Sequence, residues 1–213
     1  MAIYLLDFEA SSIHHGSYPV EVGWCSHDIT SGYSALIQPL PKWSEWSVIS
    51  EGMHGLTRQR LDCDGRPAAD VMARLNADLD GVVVHSDNPE FEEKWLAKLS
   101  HDSDVVAAFT VAETPLDALL VAAARQAGTP FVPHGVPQIH PLAVEAMSKA
   151  AGLRHHVALD DCIRHAFRLA VVAIEALRDD HGDDAADTMR QGLIERARRL
   201  LAETGRPAAL GGD

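Results

Sequence analysis

Residues 1–12 read MAIYLLDFEASS, and the middle of that stretch, Leu5-Leu6-Asp7-Phe8-Glu9, decides how the rest of the chain is read. Residues 2–6 are an apolar run of the length of a buried strand. Side chains alternate along a strand, so Asp7 and Glu9, two apart at its end, point to one face. Two carboxylates side by side on an apolar strand repel each other unless a cation sits between them. Hard oxygen ligands of this kind suit Mg²⁺ or Mn²⁺. Taken alone, Asp7-x-Glu9 is equally compatible with a pair that caps a helix or meets an arginine. The stretch has no basic segment before its apolar run and reaches two acidic residues by position 9, so it reads as neither a secretory signal nor a membrane span.

Working outward, residues 19–27 alternate around Val20, Val22 and Trp24 and predict a second strand. Residues 33–38 predict a third, with Ser31-Gly32 as the hairpin turn. Residues 39–65 mix Pro, Gly, Ser and two Trp without a clear period, and are expected to form a long ordered loop of the kind that carries function. Val71, Leu75 and Leu79 share one face and put a helix at 67–79. Residues 81–85 predict a short buried strand, and 88–99 a helix with Pro89 near its first turn. Residues 104–111 predict a fifth strand and 115–127 a helix ending at Gly128. A Pro/Gly/His segment at 129–141 precedes helices at 142–151, 159–179 and 184–203, and the tail is expected to fray. Three strands joined by short turns, then strands alternating with helices, predict an α/β domain with a mixed five-stranded sheet. The expected organisation is a main domain over 1–179, a C-terminal helical extension over 180–203 and a flexible tail over 204–213.

The chain has 213 residues, 46% of them hydrophobic and 23% charged, which is globular usage and excludes a disordered or fibrous chain. With 18 basic and 31 acidic residues, its formal net charge is −13. That balance argues against a protein that grips long nucleic acid through a broad basic surface. It leaves room for one whose carboxylates hold cations. Cys25, Cys63 and Cys162 are far apart and have no zinc-finger spacing. They fit a reducing, cytoplasmic setting.

Two more segments carry candidate chemistry. In His156-Val-Ala-Leu-Asp160-Asp161, a histidine just before a helix is followed by an aspartate in its first turn. Such an aspartate can serve the helix dipole. A histidine beside a metal-bound carboxylate can instead deprotonate a water. His155 and His165 are read as structural or solvent-facing. In His85-Ser-Asp87-Asn-Pro-Glu90-Phe91-Glu92-Glu93-Lys-Trp95-Leu96, most carboxylates read as a solvated helix face. Phe91, Trp95 and Leu99 form a core stripe that places Glu92 beside the buried face.

Together these segments resemble the DEDDh family of 3′–5′ exonucleases, the ribonuclease-H-like group that includes the proofreading subunit of bacterial DNA polymerase III, RNase T and oligoribonuclease. The family's D-x-E motif matches Leu6-Asp7-Phe8-Glu9-Ala10-Ser11, and its companion strand matches Val20-Glu21-Val22-Gly23. A His-Gly-(Ile/Leu)-Thr element matches His54-Gly55-Leu56-Thr57, and H-x-x-x-x-D matches His156 and Asp161. The matches come in the family's order over about residues 1–170. One departs: F-D-x-x-F-L is represented by Phe91-Glu92-Glu93-Lys94-Trp95-Leu96, with Glu for Asp. The aromatic spacing favours Glu92 as the acidic group, and Asp87 is the alternative.

The resemblance implies a ribonuclease-H-like domain over 1–179 and a metal-dependent exonuclease. It implies two divalent cations, Mg²⁺ or Mn²⁺, held by Asp7, Glu9, Asp161 and Glu92 (or Asp87), and His156 as general base. Phe8, Ala10, Ser11, His54 and Leu56 are implied to meet the terminal nucleotide of a single-stranded or short DNA or RNA 3′ end. Several relatives are dimers, so a homodimer is a possible state; no membrane partner is expected. Trp43 and Trp46 could stack on bases, although loop-anchoring hydrophobes are their plainer role. His14-His15 reads as a solvated loop and Met147 as core. Two other readings stay open: a binding or scaffold protein on the same fold with weakened catalysis, and a phosphatase acting on a small substrate.

Overall fold

Alternation along the first strand sorts the molecule into two faces. The computed structural model describes residues 2–126 and 141–204. The sheet comprises β1 (Tyr4–Ala10), β2 (Pro19–Ser26), β3 (Gly32–Leu36), β4 (Val83–His85) and β5 (Thr110–Val111), in the order β3-β2-β1-β4-β5. β1 pairs antiparallel with β2, as does β2 with β3. β1 pairs parallel with β4, and β4 with β5. This is the mixed five-stranded sheet expected from the sequence.

Leu6, Phe8, Val20, Val22 and Trp24 turn to one face. There they pack with Val71, Leu75 and Leu79 of α3 (Ala68–Leu79) and Trp95, Leu96 and Leu99 of α4 (Pro89–Ser103). Leu5 and Cys25 turn to the other face. It is covered by α5 (Leu116–Gln126), α6 (Pro141–Ala151), α7 (Ala158–His181) and α8 (Asp183–Glu203). Ile163 and Phe167 of α7 and Leu193 and Ala197 of α8 are buried there, as is Met147 of α6. Asp7 and Glu9 share the parity of Leu5, so β1 aims them at the α7 side.

The sequence expectations need three corrections. First, β1 runs to Ala10, so Asp7 and Glu9 lie inside the paired strand, opposite Gly23 and Glu21. Second, the expected loop at 39–65 contains two seven-residue helices, α1 (Val48–His54) and α2 (Arg58–Asp64). Helices this short show no readable period; their signals are caps. Ser47 accepts from the N–H groups of Ile49 and Ser50, Gly55 closes α1 at φ 69°, and Thr57 accepts from the Arg60 N–H. His54-Gly55-Leu56-Thr57 is thus a helix stop followed at once by a helix start. Third, the strand expected at 104–111 shrinks to Thr110–Val111. The preceding amides are taken elsewhere: Val105 donates to the Ser100 carbonyl, Ala107 to Ser100 Oγ and Ala108 to Asn76 Oδ1.

Trp43 and Trp46 anchor the segment before α1. Trp43 is buried, stacks on Tyr18 at 4.9 Å and donates to Asp102. Trp46 donates to Glu51 at 2.6 Å. Among the described residues no helix is long and apolar enough to cross a membrane. The segment expected at 129–141 and the tail expected at 204–213 lie outside the described residues, apart from Pro141 and Thr204.

The N-terminus of α7 packs backbone to backbone on β2. A Cβ at Gly23 would stand 2.2 Å from the amide nitrogen of Leu159 and 2.5 Å from the carbonyl carbon of Ala158. Cys162 Sγ lies 3.2 Å from the Gly23 carbonyl. Gly23→Ala is expected to push α7 off the sheet at a cost of about 1–3 kcal/mol or more. Urea melts of the variant measure that loss.

Candidate functional site

β1 presents Asp7 and Glu9 on the face that α7 covers, and the first turn of α7 presents Asp161. One ligand oxygen from each of the three lies within 4.8 Å of the others. This arrangement joins residues 154 positions apart in sequence (161 − 7) through the contact at Gly23. Asp160, its neighbour, is fully buried and accepts from the backbone N–H of Arg154 at 2.7 Å. Of the Asp160-Asp161 pair, one carboxylate therefore holds the loop before α7 and the other faces the site.

Glu92 reaches the same place from α4. Along β1, β4 pairs with Tyr4 and Leu5 alone, so the Phe8 amide lies beyond the end of that pairing. A hydrogen bond from that amide favours the ionised Glu92 carboxylate. Glu92 is 2% exposed, and its Oε2 has no hydrogen-bond partner among the described residues. It does not join the group whose oxygens all lie within 4.8 Å of one another, but its charge bears directly on Asp7. Asp87 stands farther out: its side chain is half exposed and lies 3.7 Å from the buried His165. His165 is thus a structural partner of the β4–α4 connection.

The site is electrostatically loaded. Burial, then the charges of Glu92 and Glu9, raise the Asp7 carboxyl well above its usual range. Burial, then Asp87, does the same to Glu92. Burial and the facing Glu21 push Glu9 up to about 8. Glu21 itself, 1% exposed, is pushed up to about 7, mainly by burial. It accepts from the Ala158 amide and from Ser34 Oγ, each at 3.4 Å, and so ties β2 to the first residue of α7.

His156 is exposed and precedes Val157, the N-cap of α7. Its backbone lies in the left-handed region at φ 56°, a conformation that costs a non-glycine residue of order 1 kcal/mol or more and clusters at functional positions. Partial burial and the charges of His155 and Arg164 lower its pKa, so the imidazole is neutral at neutral pH. His54 is pushed down to about 4, chiefly by burial.

Beside Glu9 opens a recess of about 110 Å³, lined by Phe8, Ala10, Ser12, Ile13, Met53 and His54 among others. It is well below the roughly 300–1,000 Å³ of a whole small-molecule pocket, so it admits a fragment the size of one ring system. Two residues expected at the nucleotide do not line it. Ser11 is fully buried, accepting from the Tyr18 amide and donating to Glu45. Leu56 is buried in the core, its amide bonded to His54 Nδ1. Ile13 and Met53, 65% and 54% exposed, flank the opening instead; as isolated apolar residues in loop and short helix they carry no sequence signal. His14 and His15 are exposed, as expected of a solvated loop.

Arg164 was not singled out by sequence. It stands three residues after Asp161 on one helix face, where i and i+3 side chains meet, and ion-pairs with it. Its other nitrogen donates to the Arg154 carbonyl at 3.1 Å.

No protein-family model matches the sequence, and no curated protein matches it. Solved structures do match in fold. Escherichia coli exonuclease I in complex with a 5cy-dT13 oligonucleotide aligns with a TM-score of 0.55 at 14% identity, over 88% of this chain and 42% of that one. Its zinc-bound single-stranded DNA complex aligns with a TM-score of 0.55 at 14% identity, over 84% of this chain and 41% of that one. A product-bound exonuclease I structure aligns with a TM-score of 0.52 at 14% identity, over 89% and 45%. The chain therefore spans less than half the length of these neighbours. It shares their ribonuclease-H-like fold, a mixed five-stranded sheet flanked by helices.

The raised carboxyls give a signed pH dependence. Above the ordinary value of 4.5 the unfolded chain releases glutamate protons that the metal-free folded chain retains, Glu21 to about 7 and Glu9 to about 8. The contribution of these two glutamates to metal-free stability is therefore full below about pH 4.5 and is lost as pH rises through about 7 to 8. Divalent cations bind the ionised form, so the Tm gain from Mg²⁺ is expected to be larger at pH 8 than at pH 5.5. Thermal melts at the two pH values, with Mg²⁺ or with EDTA, measure both slopes.

Proposed function

We propose that the chain is a metal-dependent 3′–5′ exonuclease that releases nucleoside 5′-monophosphates from the 3′ end of single-stranded or short DNA or RNA. The observation that carries this reading is the convergence of Asp7, Glu9 and Asp161 within 4.8 Å, beside a buried oxygen of Glu92 that has no hydrogen-bond partner among the described residues. An all-oxygen donor set of this kind fits hard cations such as Mg²⁺ or Mn²⁺. Asp7, Glu9, Asp161 and Glu92 would hold two such ions. When bound, the ions supply Lewis-acid activation of a water and charge stabilisation at the leaving 3′ oxygen.

The chain's own groups supply the rest. His156, neutral at neutral pH, takes the proton of the attacking water at a ring nitrogen. Its position before the α7 N-cap holds it outside the carboxylate cluster, where it keeps access to solvent. Phe8, Ala10 and His54 form the wall of the recess that receives the terminal base or sugar. The small recess and the acidic surface favour capture of a chain end over a grip along a duplex. The oligonucleotides bound in the exonuclease I structures support single strands as the substrate class.

A second reading, an exonuclease-fold binding protein with weakened catalysis, is favoured by one observation: Arg164 already engages the Asp161 carboxylate. A 5′-labelled single strand incubated with Mn²⁺ separates the two. The nuclease reading expects stepwise shortening from the 3′ end, abolished in Asp7→Ala. His156→Ala is expected to lower kcat by about 10²–10⁴-fold, the usual contribution of a general base. Retention of the strand in Mn²⁺ without any shortening would establish the binding reading in its place.

A further inference from the structure

Two arginines, one on α7 and one in the segment before it, are engaged with carboxylates outside the Asp7, Glu9 and Asp161 group. Arg168 pairs with Asp117 of α5, and Arg154 with Asp160. Arg164, by contrast, pairs with a member of the group, Asp161. Its side chain is 14% exposed, and its Nε is buried without a hydrogen-bond partner among the described residues. Asp160 and Glu145 act on its charge, and so, more weakly, does Asp7 of the cluster.

We propose that Arg164 is a positioning residue that holds Asp161 until a divalent cation takes it, and then presents its released guanidinium to the substrate phosphate. This inference rests on the metal-dependent reading of the site. A carboxylate oxygen shared between a guanidinium and a dication serves each less well, so the two compete for Asp161. The guanidinium cannot leave the site when it yields. It grows from the same helix face as Asp161, and its second nitrogen is anchored on the Arg154 carbonyl. A planar fork of N–H donors freed beside a metal-loaded carboxylate cluster matches a phosphodiester in charge and geometry. In a chain of net charge −13, that one cation would be a principal attraction for phosphate.

The test uses the full chain and two variants, Arg164→Gln and Arg164→Lys. Calorimetric titration with Mn²⁺ alone is expected to show Arg164→Gln binding about 3–10-fold more tightly than wild type, with Arg164→Lys between them. Fluorescence anisotropy of a labelled oligothymidine in Ca²⁺ is expected to show Arg164→Gln holding the strand about 10-fold more weakly, partly rescued by Arg164→Lys. Equal Mn²⁺ affinity in wild type and Arg164→Gln, or undiminished strand binding in that variant, overturns the assignment of Arg164. Absence of Mn²⁺ binding in wild type itself overturns the metal-dependent reading. If Arg164→Gln fails to fold, Arg164→Lys decides: identical values to wild type in both titrations overturn the assignment.

Discussion

The first turn of α7 lies against the backbone of β2 at Gly23, with no side chain between them, and the candidate site follows from that contact. β1 and β2 are neighbours in antiparallel register, so Gly23 faces Asp7 and Glu21 faces Glu9. Seating a helix at this depth brings Asp161 to the strand carboxylates and the Ala158 amide to Glu21. A side chain at position 23 would separate the two halves of the site. The same seating buries Leu159, Ile163 and Phe167, so apolar packing holds α7 in place against the repulsion of the charges it assembles.

That repulsion is the second theme of the structure. Asp7, Glu9, Glu21 and Glu92 are all shifted upward, and burial is the leading cause for each. Buried carboxylates are stable when protonated, hydrogen-bonded or paired with cations. The chain uses each device in part. Phe8 and Ala158 amides serve Glu92 and Glu21, and Arg164 serves Asp161. One oxygen of Glu92 stays without a partner among the described residues. The repulsion among these carboxylates is thus only partly compensated by groups of the chain itself.

How much of this could be read from the sequence depended on the range of the signal. The strand period around Asp7 and Glu9, the core stripe of Val71, Leu75 and Leu79, and the long helices were legible because alternation and helical periodicity act between near neighbours. Helices α1 and α2 were not, because seven residues are too few to show a period. The strand expected at 104–111 failed because Ser100 and Asn76 claimed its amides, a competition that only neighbouring elements reveal. Ser11 and Leu56 fell next to the recess in sequence and were turned away from it by the Tyr18 amide and the core.

The sequence by itself determined the strand that carries two carboxylates on one face, the alternation that gives a mixed sheet, and the order of acidic segments along the chain. Those features depend on residue type and spacing over fewer than about ten positions, the scale of one strand or helix turn. Only the tertiary structure shows that Asp7, Glu9 and Asp161 converge, with Glu92 buried and Asp87 half exposed. It also brought Arg164 into the cluster. Those outcomes depend on how closely α7 can approach β2 and how far α4 extends past the end of β4. Backbone packing fixes both distances, and no local pattern encodes them.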